Sequence, residues 1–145
     1  MSSVHPGSFT PHPNRSVVVD SSWIFANLKN DSVTVIDARL PEYYSGANAG
    51  SMPRAGHIPG AINIPFTSLV DDTNKLKDSA ALREMFKTMA VKPGTRIVAY
   101  CHIGQQASLV YFVAKCLGYE ASLYDGSFED WSVRRDLPVV ISVPK

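Results

Sequence analysis

The chain has 145 residues, 45% of them hydrophobic, and fourteen Lys plus Arg against thirteen Asp plus Glu leave a net charge of +1. That length suits one domain with one sizeable core, and the balanced charge excludes a strong field that would draw it onto nucleic acid or an anionic membrane. The longest apolar stretch, around Leu109 to Ala114, falls far short of the roughly 18 to 20 residues that span a bilayer, so a soluble protein is expected.

Residues 1–16 are rich in Pro and Ser, lack apolar periodicity and read as a flexible tail or linker without the pattern of a secretory signal. His5 and His12 lie there with no Cys or acidic cluster to join them, so no metal site is expected. Residues 17–145 read as a single domain. Val17 to Val19 is a strand candidate, after which Asp20, Ser21 or Ser22 caps a helix reaching about Leu28. Val33 to Ile36 and Ala61 to Ile64 are the second and third strands. Leu82, Met85, Phe86 and Met89 form the apolar stripe of a helix capped by Asp78 or Ser79 and stopped by Pro93-Gly94. Arg96 to Tyr100 is the fourth strand. Leu109, Phe112, Val113, Cys116 and Leu117 then give a helical stripe that ends at Gly118. Ala121 to Tyr124 is the fifth strand, and Ser127 to Asp130 has the spacing of a capping box opening a last helix with Trp131. Short strands separated by helices predict an α/β fold, a five-stranded, mostly parallel sheet with helices on both faces.

Ligand sites in such sheets lie at the carboxyl ends of strands. At that end of the fourth strand stands Cys101, followed by His102, Ile103, Gly104, Gln105, Gln106 and then Ala107 at the start of a helix. Backbone NH groups of such a loop, and the helix N-terminus, favour negative charge and so ease formation of a nucleophilic thiolate. Gly104 lets the backbone bend into a bowl. The competing reading is a small buried hydrophobe. Cys116, on the apolar stripe, is expected in the core and too far from Cys101 to bridge. Two cysteines without a disulfide framework suit a reducing compartment, hence a cytoplasmic location.

A cysteine with an oxyanion bowl serves phosphoester hydrolysis or sulfur transfer. Cysteine phosphatases place an arginine six positions after the nucleophile to clamp phosphoryl oxygens. Ala107 stands there. Sulfur transfer needs only a thiolate that becomes a persulfide anion, with NH groups to hold it.

With these residues assembled, the sequence resembles the rhodanese (thiosulfate sulfurtransferase) family, in particular the catalytic C-terminal half of its two-domain members. The resemblance runs from about Val17 to Val140 and rests on four motifs: Val35 to Arg39 with Glu42, Arg54 to Ala61, the loop Cys101 to Ala107, and Tyr124 to Ser127 with Trp131. It implies a rhodanese-like sheet and Cys101 as the persulfide-forming nucleophile, with residues 102–107 binding the anion and no cofactor or metal. Asp37 and Arg39 look like a supporting buried pair, most simply a structural one; His57 is likewise structural and Trp131 a core anchor. The implied activity moves sulfane sulfur from thiosulfate or a related donor to cyanide or a thiol acceptor. The alternative is a persulfide carrier or regulatory binding module with little turnover of small donors. Thiosulfate enzymes of the family tend to carry basic residues after the cysteine, and mercaptopyruvate enzymes Gly-Ser, where this chain has His102 and Ile103. Tyr43 occupies a place where both usually have a donor-binding arginine. His102 is either a source of partial positive charge or an exposed loop residue. The resemblance to half of a longer protein implies a second rhodanese-like domain or a homodimer as a partner.

Overall fold

The computed structural model describes residues 7–12 and 14–142. His5 and part of the expected tail lie outside the described residues.

Asp20 starts the first helix by accepting a hydrogen bond from Trp23 N at 2.8 Å, which satisfies one of the free NH groups of α1 (Ser21–Asn27). Strand β1 (Val33–Asp37) follows, and Pro41, whose missing NH costs nothing in a first turn, opens the short α2 (Pro41–Ser45). Strand β2 (Ile62–Asn63) leads through a 3-10 turn to α3 (Ser79–Thr88), capped by the Asp78 carboxylate on Ala81 N at 2.8 Å. Next come β3 (Arg96–Tyr100), α4 (Ala107–Cys116), β4 (Ala121–Leu123) and α5 (Ser127–Val133).

The strands form one parallel sheet in the order β2-β1-β3-β4, with β1 and β3 paired along their full lengths from Val33↔Arg96 to Asp37↔Tyr100. Alternation along each strand divides the core into two layers. Ile36, Ile97, Ala99 and Cys101 face Leu82, Phe86, Val110 and Val113 of α3 and α4. Val35, Val98 and Tyr100 face Ile24 of α1 and Phe128 and Trp131 of α5. Helices therefore cover both faces, as the strand–helix alternation predicts. Nothing among the described helices is long and apolar enough to cross a membrane.

Four expectations need correction. The sheet has four strands, because the segment expected as a strand at Val17 to Val19 coils into a 3-10 turn at Arg15–Val17 and meets β4 through a single bridge, Val18↔Leu123, before Asp20 turns away to cap α1. Chain direction reverses earlier than Pro93-Gly94, since α3 ends at Thr88 and Ala90 takes a left-handed φ of 61°. Along α4 the buried residues are Ala107, Val110, Val113 and Ala114, with Leu117 just beyond, so Phe112 is 52% exposed and Cys116 faces outward rather than into the core. That helix is apolar around most of its circumference, and the face it buries includes the small Ala107 and Ala114. The capping box also fails to form. Ser127 commits its hydroxyl elsewhere, and Asp130 takes Tyr124 Oη at 2.6 Å and Arg134 Nε at 2.9 Å.

Candidate functional site

Strand β3 delivers Cys101 to the carboxyl edge of the sheet, wholly buried, with its side chain in the layer beneath α4. Cys101 N donates to Ser127 Oγ at 3.1 Å, and the carbonyls of Cys101 and His102 accept from Phe128 N and Glu129 N, each at 3.0 Å. Gly104 follows in the left-handed region, at φ 88°, pressed against the turn after β4: a Cβ there would lie 3.0 Å from Asp125 O. Both its conformation and its closeness to that carbonyl exclude a side chain.

From Cys101 the chain runs into α4 without using its donors. Among the described residues, no backbone NH of residues 102–107 is paired within the chain; pairing resumes with Ser108 N to Gln105 O at 3.3 Å and Leu109 N to Gln106 O at 3.2 Å. Six successive free NH groups beside a cysteine, joined to the positive end of a helix, make a place where an anion is favoured. Gln106 Oε1 is also buried without a partner. Ile103 is 56% exposed and Gln105 lies at the surface, whereas Gly104 and Ala107 are buried. Ala107 leaves the loop without the guanidinium a phosphatase would need.

His102 is half-buried, its ring edge-on to Tyr43 of α2 with centroids 4.6 Å apart. Burial, then the nearby Arg39 charge, hold its pKa below the ordinary histidine value despite the opposing pull of Asp37. The imidazole is thus neutral at neutral pH and adds no positive charge to the loop.

Asp37 and Arg39 sit on the neighbouring strand end, linked to β3 by Ala38 N donating to Tyr100 O at 2.8 Å. Arg39 Nε reaches Asp37 Oδ1 at 3.0 Å and Arg39 Nη2 reaches Asp37 Oδ2 at 2.5 Å, with a further bond from Nη2 to Gly56 O at 2.8 Å. The guanidinium lies over the Phe128 ring, 4.1 Å from its centroid. Burial works against that charge, but the Asp37 carboxylate outweighs it and raises the Arg39 pKa. Tyr100, buried beside the pair, has its pKa pushed far above the usual phenol value by burial and then by Asp37, and its oxygen accepts from Ile58 N at 3.1 Å. His57 stacks on Tyr44 at 3.8 Å with Nδ1 2.7 Å from Tyr44 O, and Trp131 is wholly buried with Nε1 donating to Pro138 O at 2.8 Å.

The roles of two side chains escape the sequence reading. Ser127 holds the Cys101 amide. Arg54 donates to four carbonyls, those of Trp131, Ser132, Arg134 and Leu137, at 2.7 to 2.8 Å. In sequence Ser127 opens the capping-box spacing and closes the Tyr124 to Ser127 motif, and Arg54 heads the Arg54 to Ala61 motif, but neither pattern shows which groups they bind.

Residues 20–134 match the family model described as rhodanese-like domain. A thiosulfate sulfurtransferase of Pseudomonas aeruginosa is 33% identical over 120 residues, which cover 82% of this chain and 44% of that protein. The sulfur carrier protein TtuD of Thermus thermophilus is 34% identical over 122 residues, covering 77% of this chain and 42% of that protein. The chain thus spans less than half the length of these relatives. Among solved structures, an anaerobic ergothioneine biosynthesis enzyme from Chlorobium limicola shares the fold, with a TM-score of 0.82 at 21% identity over 90% of this chain and 33% of that one.

Proposed function

This chain belongs to the rhodanese family, and from that premise we propose that it is a sulfurtransferase whose Cys101 carries sulfane sulfur as a persulfide. The observation that supports this reading most directly is the run of six unpaired NH groups, residues 102–107, immediately after the cysteine. The Cys101 thiolate attacks the outer sulfur of thiosulfate or a related donor, an S–S bond forms to Cys101, and sulfite leaves with the electron pair of the broken bond. Cyanide or a thiolate acceptor then attacks the outer persulfur, forming thiocyanate or a new persulfide and returning Cys101 as a thiolate. Both half-reactions place negative charge on sulfur, which is what free NH groups hold. His102 through Ala107 form the binding loop, and Asp37 and Arg39 support it from the adjacent strand. The unpaired cysteines fit a reducing, cytoplasmic setting, and the greater length of the relatives fits a companion domain or a second copy as partner.

Incubation with thiosulfate followed by intact-mass measurement tests this. The wild type should gain one sulfur atom, and Cys101→Ser should gain none; an unmodified wild type, or an undiminished gain in the variant, would overturn it.

A second reading, persulfide carrier or regulatory module with little turnover of small donors, is favoured by the complete burial of Cys101 and by the neutral His102 at its side. Brisk thiosulfate-dependent thiocyanate formation in a steady-state assay would remove it.

A further inference from the structure

The segment after β4 grips the end of β3 through backbone and one side chain. Cys101 N is held by Ser127 Oγ at 3.1 Å, while Phe128 N and Glu129 N hold the next two carbonyls. Ser127 Oγ donates its own proton to Tyr124 O at 2.8 Å, so only its lone pairs face the Cys101 amide. Ser127 is wholly buried and adopts φ 52°. A residue with a Cβ is strained there, and glycine is the residue that enters this region freely. The strain therefore coincides with a hydroxyl that glycine could not supply, and that hydroxyl is spent on the backbone of the candidate nucleophile.

The grip also decides which groups face an anion. With the carbonyls of Cys101 and His102 committed to Phe128 N and Glu129 N, neither is free to turn among the unpaired NH groups of residues 102–107, where an oxygen would repel negative charge. Gly104, which has no side chain to hold it off Asp125 O, lets the middle of the loop lie close against the same turn.

We infer that Ser127 is a positioning residue for Cys101, its hydroxyl fixing the Cys101 amide so that the sulfur and the free NH groups after it keep one relative geometry during sulfur transfer. The inference rests on the proposed role of Cys101 as the persulfide-forming nucleophile.

Ser127→Gly in the full chain removes the hydroxyl and relieves the strained backbone, so the variant is expected to fold. Single-turnover persulfide formation from thiosulfate should lose about tenfold in its saturating rate, with the half-saturating donor concentration unchanged. Exchange of the Cys101 amide hydrogen, followed by NMR, should accelerate by about tenfold or more. Ser127→Ala, which keeps the strain and loses the hydroxyl, should show the same loss of rate. A wild-type saturating rate together with wild-type amide protection in Ser127→Gly overturns the inference. A wild type that takes up no sulfur defeats the proposed function instead, and amide exchange then decides the positioning alone: faster exchange in the variant supports it, unchanged exchange refutes it.

Discussion

Removing two charges from water is costly, and the Asp37–Arg39 pair shows what makes it tolerable in this core. The side chains are 0% and 2% exposed, yet each finds partners: the carboxylate also accepts from Arg39 N at 2.9 Å, and the guanidinium also serves Gly56 O and lies over Phe128. Such a pair contributes little to net stability, but breaking it strands a buried charge. Arg39→Met should therefore cost roughly 3 to 5 kcal/mol in urea unfolding, and adding Asp37→Asn should recover part of that loss. A cost below about 1 kcal/mol for the single variant would show that Asp37 finds water or another donor. Because Arg39 also depresses the pKa of His102, the pair reaches the loop after Cys101 electrostatically.

Arg54 works at the scale of elements. Its guanidinium gathers carbonyls from the last turn of α5 and from the segment after it, where a helix leaves acceptors unpaired and its dipole is negative. Charge-assisted bonds of this kind contribute about 1.5 to 3 kcal/mol each when shielded from water; for a half-buried side chain we expect Arg54→Ala to cost about 3 kcal/mol in total. Arg54→Lys should recover little, since an ammonium cannot reach four carbonyls in a plane. Chemical denaturation of both variants checks this, and a stable Ala variant would contradict it.

Elements whose signals are local were legible in the sequence. The Arg96–Tyr100 strand and the Asp78 cap came out where pattern and capping chemistry put them, and the position of Cys101 at a strand end followed from them. Elements decided by distant contacts were not. The stripe of α4 is ambiguous in sequence because nearly every face is apolar, so which residues go inward depends on how the helix packs on the sheet, with Ala107, Val110, Val113 and Ala114 buried. The capping-box spacing at Ser127 was a sound local pattern that lost its serine to an amide 26 positions upstream. The strand expected at Val17 to Val19 is reduced to one bridge because Asp20 turns the chain into α1.

Across the whole molecule, two histidines couple stability to pH in the same direction. His57 is depressed by burial first and by Arg39, against the opposing effects of Tyr44 O and Asp37; His102 is depressed by burial and then Arg39. In the unfolded chain both take up protons near pH 6.5, whereas the folded chain resists until lower pH. Protons therefore favour unfolding: this contribution is fully present above pH 6.5 and is lost as the pH falls below it. The melting temperature should be lower at pH 5.5 than at pH 7.5, and His57→Gln should flatten that slope. A melting temperature that rises on acidification would refute the assignment.

The turn that grips Cys101 lies 26 residues downstream of it, and this separation orders events in time. Cys101 leaves the ribosome 26 residues ahead of Ser127, so until Ser127, Phe128 and Glu129 follow it out, the end of β3 is unfastened. Completion of the loop coincides with docking of α5, the same step that brings the acceptors of Arg54 into place. A chain truncated before residue 127 would carry Cys101 without the groups that hold its amide and the two carbonyls after it, and that strand end would stay unfastened.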